Sequence, residues 1–188
     1  GEGSALVVRD HPEWFAGATE AISEVGGYSI DLAGRRAYLL QVGEKALVWI
    51  RLIARGRAAH GSAFHEDNAV TRLAEAVAAL GRTAWPVELT ATTERLTQRI
   101  AELTGQASDD PDAVAAAAGP ASRFLRSTIR TTTNPTALTA GYKHNVIPDR
   151  AEALIDVRTL PDGEDGALRA VQDIVGPDIE IEDVHRDI

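Results

Sequence analysis

The sequence contains no cysteine, and this absence excludes both disulfide bonds and thiolate zinc sites. A chain without cysteine is typical of a cytoplasmic protein, and we expect that localisation. The sequence also lacks an apolar run of membrane-spanning length and the pattern of a signal peptide, so we expect no membrane partner. It contains neither a P-loop nor the glycine pattern of a dinucleotide-binding fold.

Lysine is scarce, and acidic residues outnumber basic ones. Lys45 and Lys143 are the only lysines, and the formal net charge is -9. The segment 162–188 has nine acids against two arginines and therefore contributes -7 of that charge. An acidic surface repels a phosphate backbone, so we expect no nucleic-acid partner. With 188 residues, of which 44% are hydrophobic, the chain can form one core, or one domain with pieces of another.

Residues 44–83 are the most informative stretch. The segment 46–55 predicts a strand, because apolar side chains alternate on one face and a mixture of apolar and cationic side chains occupies the other. Small residues surround His60 on the loop that follows. Asp67 or Asn68 can cap the next helix, whose apolar residues recur at helical spacing, and Gly81 predicts its end.

From residue 44 onward the patterns predict the order strand, helix, insertion, strand, strand, helix, strand. This order is typical of the split βαβ arrangement, an α+β fold in which a four-stranded antiparallel sheet has two helices on one face, as in ferredoxin-like domains. Residues 84–133 predict a helical insertion that could enlarge an interface or cover a pocket. Residues 28–42 predict a two-stranded ribbon that leads into this domain.

Three ordered segments resemble the lid, or dimerisation, domain of the M20 family of zinc metallopeptidases and aminoacylases. They are Gly-Arg-Ala-Ala-His-Gly-Ser at 56–62 with Asp67-Asn68-Ala69-Val70, then Asn-Val-Ile-Pro at 145–148, then Asp-Val-Arg-Thr-Leu-Pro at 156–161. The resemblance implies that residues 1–43 are a fragment of a catalytic domain with its connecting ribbon. It also implies that residues 44–188 are the lid, through which the protein forms a homodimer.

His60 and Asn145 are the first two candidate site residues. On the sequence alone, His60 can be an ordinary surface histidine, and Asn145 suits a turn for backbone reasons. The resemblance implies that His60 reaches the active site of the partner subunit and stabilises the oxyanion that forms on the scissile carbonyl. It implies that Asn145 helps to hold the substrate.

Arg158 is the third candidate. It shares a strand face with Asp156, so the plain interpretation is an ion pair, whereas the resemblance implies that Arg158 binds a substrate carboxylate. Asn145 and Arg158 are 13 positions apart, and a strand separates them by on the order of 30 Å. We therefore hypothesise that His60 and Asn145 serve the partner's site while Arg158 serves its own.

Glu24 is the candidate metal ligand. It lies in Ser-Glu-Val-Gly-Gly, which predicts the end of a buried strand, and it can be an ordinary acid in that position. The resemblance implies that Glu24 binds one of two zinc ions in the parent enzyme. We identify neither the other metal ligands of the family, among them a late histidine, nor its general-base glutamate. We therefore expect the fragment to bind no zinc and to be inactive alone.

The sequence therefore favours the lid of an M20-type amidohydrolase or peptidase that cleaves an amide bond next to a free carboxylate. The small substrate can be a peptide or an N-acyl, carbamoyl or succinyl amino acid, and the sequence does not choose among them. The alternative is a non-catalytic dimerisation or small-ligand-binding module.

Overall fold

The computed structural model describes residues 2–22 and 27–187. The strands are β1 (Ser29–Leu32), β2 (Arg35–Tyr38), β3 (Ala46–Arg55), β4 (Ala59–His60), β5 (Thr132–Ala140), β6 (Val146–Ile147), β7 (Arg150–Thr159) and β8 (Ile179–Asp187). The α-helices are α1 (Glu2–Asp10), α2 (Ala69–Arg82), α3 (Ala91–Thr104), α4 (Pro111–Ala117), α5 (Ser122–Thr128) and α6 (Glu164–Val175). Short 3₁₀ helices span Pro12–Phe15 and Gly119–Ala121.

The main sheet has four antiparallel strands in the order β5-β7-β3-β8. The longest pairing joins β3 to β7 over ten residue pairs, from Ala46 opposite Thr159 to Arg55 opposite Arg150. The first and third strands of the predicted split βαβ unit are therefore central, and the second and fourth are at the edges. The predicted α+β fold with a four-stranded antiparallel sheet is confirmed.

The core lies between one face of this sheet and two helices. Val48, Ile50 and Leu52 of β3 are fully buried, and alternate residues of β7 face the same way. Helices α2 and α6 cover this face with the apolar stripe that the sequence pattern predicted. Burying each such side chain is worth about 1.5–3 kcal/mol, so this face provides most of the hydrophobic stabilisation of the domain. The opposite face of the sheet mixes apolar side chains, such as Trp49 and Ile53, with polar and charged groups.

Helix α2 begins as predicted but ends later. The side chain of Asn68 accepts hydrogen bonds from the backbone N–H groups of Val70 and Thr71, at 2.9 and 3.3 Å, so Asn68 is the N-cap. The predicted stop at Gly81 is wrong, because the helix continues to Arg82 and its C-cap is Thr83. Gly81 does not adopt the left-handed conformation that ends many helices at glycine.

The helical insertion has its own small core. Residues of α3, α4 and α5, together with Leu32 of β1, form a second buried cluster. The backbone N–H of Ala33 donates to the carbonyl of Ala118 at 3.2 Å, so the β1–β2 ribbon is attached directly to the insertion. The ribbon was predicted to form and does, as an antiparallel pair. Its packing against the insertion was not predicted.

The predicted strand around Glu24 falls largely on residues 23–26, which lie outside the described residues. Ile22, just before them, is fully exposed and belongs to no strand. Among the residues that the structure describes, no helix combines the length and apolar character needed to cross a bilayer.

Candidate functional site

Two groups of candidate residues lie toward opposite ends of the paired strands β3 and β7. The first group is built on a two-stranded ladder in which His60 of β4 lies opposite Val146 of β6. The backbone N–H of Gly61 donates to the carbonyl of Asn145 at 2.8 Å. A Cβ on residue 61 would lie only 3.3 Å from the Asn145 carbonyl carbon, so glycine allows the two loops to approach this closely.

His60 and Asn145 present hydrogen-bond donors to the same exposed region. The backbone N–H of Ser62 donates to His60 Nδ1 at 3.3 Å, and the Ser62 hydroxyl lies 2.8 Å from the same atom. A neutral imidazole that accepts at Nδ1 carries its proton on Nε2. Asn145 Nδ2 lies 3.5 Å from His60 Nε2, which is a close contact rather than a strong hydrogen bond. Two N–H donors therefore stand side by side at this end of the sheet.

The second group centres on Arg158, near the end of β7. Arg158 lies between Leu47 of β3 and Thr132 of β5, on the face that the helices leave uncovered. Its Nε donates to Asp156 Oδ1 at 2.7 Å and its Nη2 donates to Asp156 Oδ2 at 3.1 Å. The predicted ion pair thus exists, and it lies within a single strand.

Asp156 has a second partner on the neighbouring strand. Trp49 of β3 donates from Nε1 to Asp156 Oδ2 at 3.2 Å, and its ring lies 5.4 Å from that of His185 on β8. The hydrogen bond from Arg158 lowers the pKa of Asp156, and the Trp49 donor adds to this effect. Asp156 is therefore held as a carboxylate, and the same pairing raises the pKa of Arg158.

Lys45 brings another cation to this group. Its Nζ donates to the carbonyls of Ser127 and Arg130, at 3.0 and 2.8 Å, and to the Thr132 hydroxyl at 3.3 Å. The pKa of Lys45 falls to about 8, mainly because of burial; the charge of Arg158 contributes to the fall and that of Asp156 opposes it. Arg158 and Lys45 open on a cleft lined by Glu44, Lys45, Ala46, Leu47, Arg158, Pro161, Asp162, Glu164 and Asp187.

The two groups lie far apart in one chain. His60 comes shortly after Arg55 in sequence, and Asn145 comes shortly before Arg150, which is the partner of Arg55 in the ladder. Arg158 lies eight residues further along β7, which corresponds to about 26 Å at 3.3 Å per residue. The structure therefore brings His60 and Asn145 together and keeps Arg158 at the opposite end, as the spacing along the strand predicted.

Glu24 lies outside the described residues, so the structure gives it no environment. Among the residues that are described, no group of three or more histidine, aspartate and glutamate side chains could hold a metal ion. The described part of the chain therefore does not fit a zinc centre, and we assign no chemical step to a metal held by it.

Sequence reasoning missed three contributors to these groups. Lys45 could have been noticed as one of two lysines, located immediately before the central strand. The roles of Ser62 and Trp49 depend on a loop conformation and on the register of β3 against β7, and neither has a signal in the sequence.

The topology places the chain among α+β domains with a ferredoxin-like sheet. A family model described as "Peptidase dimerisation domain", from the M20 group, matches residues 42–179. This match takes in His60, Asn145 and Arg158 and covers well over half of the chain, so the chain belongs to the M20 peptidase dimerisation-domain family. The resemblance drawn from the three sequence segments is confirmed.

Solved structures with similarity to this chain come from larger proteins. An M20 family metallo-carboxypeptidase, Sso-CP2 from Sulfolobus solfataricus, is 16% identical with a TM-score of 0.49; the match covers 75% of this chain and 43% of that one. The aminobenzoyl-glutamate utilization protein from Klebsiella pneumoniae is 16% identical with a TM-score of 0.49, over 76% of this chain and 29% of its own. A hydantoinase/carbamoylase family amidase from Burkholderia ambifaria is 16% identical with a TM-score of 0.44, over 77% of this chain and 29% of its own.

The chain therefore spans less than half the length of each of these proteins. A comparison with curated protein sequences found no match.

Proposed function

We propose that the chain is the lid of a homodimeric M20-type zinc hydrolase that cleaves an amide or peptide bond next to a free carboxylate. The observation that carries this proposal is the division of the sheet into two ends. One end offers paired N–H donors, and the other offers an oriented guanidinium. Membership of the dimerisation-domain family supports it, because a shared site needs a second subunit.

His60 and Asn145 supply the donors for the reacting carbonyl. A carbonyl oxygen that binds between His60 Nε2 and Asn145 Nδ2 receives two N–H groups as negative charge develops on it, and both groups are exposed and accessible. Such donors stabilise the transition state more than the ground state, and removing one costs about 100- to 1,000-fold in rate. Their distance from Arg158 implies that they act in the site of the neighbouring subunit.

Arg158 supplies the group that selects the substrate. A guanidinium binds a carboxylate through two parallel hydrogen bonds and stays charged at any ordinary pH. The substrate is therefore an amide with a free carboxylate next to the scissile bond, such as a peptide or an N-acyl amino acid. We propose zinc for the parent enzyme with Glu24 as one ligand, both on the family resemblance.

The first test replaces Arg158 in the full-length parent enzyme. We expect Arg158→Ala to raise KM for the best substrate in a panel of dipeptides and N-acetyl amino acids by roughly ten- to one-hundred-fold, since a hydrogen bond to a charged group is lost. The same substrate with its carboxylate converted to a carboxamide should be hydrolysed equally by the variant and the wild type. Steady-state kinetics on the two substrates measure this difference.

Arg150→Ala is the matched control, because Arg150 lies on the same strand with nearly the same side-chain exposure, 39% against 41%, and also pairs with an acid. It should leave both KM values unchanged. Equal losses on the carboxylate and carboxamide substrates would contradict a carboxylate-binding role for Arg158. Full activity without His60 and Arg158 would favour the non-catalytic module instead.

A further inference from the structure

We propose that Asp156, held in place by Trp49, is a positioning residue that keeps the Arg158 guanidinium turned so that its free edge faces the substrate carboxylate. This inference rests on the proposed function of Arg158. It reverses the usual interpretation of the ion pair, in which pairing with Asp156 would make Arg158 a purely structural residue.

The geometry of the ion pair leaves one edge of the guanidinium open. Asp156 accepts from Nε and Nη2 of Arg158, and these two nitrogens form the side-on edge of the guanidinium. The end-on edge consists of one hydrogen of Nη2 and one of Nη1, and no residue in the described part of the chain forms a hydrogen bond with Nη1. A second carboxylate can bind to that edge through two parallel bonds while Asp156 stays in place.

Asp156 is itself fixed from the neighbouring strand. The Trp49 indole donates to Oδ2, the oxygen that also accepts from Arg158 Nη2, and the Trp49 ring lies against His185. Asp156 and Trp49 face each other directly in the β3–β7 ladder, so the backbone register sets their distance. A free arginine loses rotamer entropy when it binds a ligand, and this arrangement removes much of that loss before the substrate arrives.

Lys45 adds a positive charge beside the ion pair, in a cleft that is also lined by the acids Glu44, Asp162, Glu164 and Asp187. Asp156 alone would neutralise Arg158, but Lys45 is close enough to both for its pKa to respond to each of them. All three N–H bonds of the Lys45 ammonium point to oxygens of Ser127, Arg130 and Thr132, so Lys45 acts through its charge and not as a direct ligand. The three groups together carry one net positive charge while Lys45 is protonated.

The test compares isosteric variants in the full-length enzyme. We expect Asp156→Asn to raise KM for the carboxylate substrate about ten-fold, because the guanidinium is no longer held by two charge-assisted bonds. Its kcat, and its kinetics on the matched carboxamide substrate, should stay within about two-fold of wild type. Trp49→Phe, which removes only the indole N–H among the polar contacts, should raise the same KM by a smaller factor.

Glu152→Gln is the matched control. Glu152 lies on the same strand and face as Asp156 with similar side-chain exposure, 35% against 25%, and it pairs with Arg150 and Arg51 rather than with Arg158. It should leave KM unchanged. If Asp156→Asn is too unstable to assay, Trp49→Phe carries the test.

The outcomes separate this inference from the proposed function. If Arg158→Ala raises KM selectively and neither Asp156→Asn nor Trp49→Phe does, the positioning role is wrong and the proposed function stands. A fall in KM for Asp156→Asn would also overturn it, since Asp156 would then compete with the substrate. If Arg158→Ala itself has no selective effect, both proposals fail.

Discussion

Lys45 shows how much a single residue can depend on its surroundings. Its ammonium is half-buried and has three oxygen acceptors, yet its pKa falls to about 8 because burial disfavours the charged form more strongly. The neighbouring charges act in opposite directions, Arg158 lowering the pKa and Asp156 raising it. Lys45 therefore changes its charge in a range where most lysines remain protonated.

This pKa predicts a pH-dependent affinity for the substrate carboxylate. As the pH rises through about 8, Lys45 loses its proton, and the net charge of Lys45, Asp156 and Arg158 falls from one positive charge to none. KM for the carboxylate substrate should therefore rise about three- to ten-fold between about pH 7 and pH 9. Lys45→Arg keeps its charge over this range and should flatten the profile. If KM for the carboxylate substrate rises with pH equally in Lys45→Arg and in the wild type, a group other than Lys45 is responsible for the titration.

The sequence was informative about which residues form the candidate site, and less so about how they are held. His60, Asn145 and Arg158 were found from a motif resemblance, and the strand length between Asn145 and Arg158 sufficed to separate them. The plain interpretation of Arg158 and Asp156 as an ion pair was also sufficient to expect their contact. The contacts of Trp49 and Lys45 were not predictable, because they depend on cross-strand register and on the position of the insertion.

At the scale of elements, the strands and helices of the main sheet could be predicted because their periodicity is regular. The strand at 46–55 matches the structure in its boundaries. The predicted end of α2 was wrong because a glycine ends a helix in this way only where its backbone turns left-handed. Gly81 does not turn left-handed, and nothing local in the sequence shows which conformation it adopts.

Gly56 and Gly81 should respond oppositely to replacement by alanine. A Cβ on residue 56 would lie 2.7 Å from the Asp67 carbonyl oxygen and 3.0 Å from the Ala69 nitrogen, both backbone atoms at the start of α2. Gly56→Ala should therefore lower the free energy of unfolding by about 1–3 kcal/mol. Gly81→Ala meets no atom within 4 Å inside the helix and should raise it by about 0.5–1 kcal/mol.

Urea unfolding measures both free energies, and an unchanged m-value shows that the denatured state is unaffected. Equal effects of the two substitutions would contradict the close approach of Gly56 to the α2 N-terminus.

At the scale of the whole molecule, the insertion connects parts that are distant in the chain. It packs against the β1–β2 ribbon through Leu32, and the carbonyls at its end accept from Lys45 at the beginning of the sheet. No local pattern predicts such contacts, because they join segments about 80 residues apart. The insertion therefore helps to hold Lys45, the cation next to the Arg158–Asp156 pair.

The arrangement of the two site groups makes a prediction about the dimer as a whole. If His60 serves the partner's site and Arg158 serves its own, a dimer of one His60→Ala subunit and one Arg158→Ala subunit has one site with both groups intact and one with neither. On the carboxylate substrate, a statistical mixture of the two impaired variants should then reach roughly a quarter of the wild-type activity, measured at substrate concentrations well below KM.

Mixing His60→Ala with Asn145→Ala is the control that the structure provides. These two residues lie side by side, with Nε2 and Nδ2 3.5 Å apart, so they enter the same partner site together. Every site in such a mixed dimer lacks one of them, and activity should not return. Recovery in this control, or none in the first mixture after subunit exchange is verified by mass spectrometry, would contradict a site shared across the dimer. The comparison thus tests the separation of the two ends of the sheet by function and not only by distance.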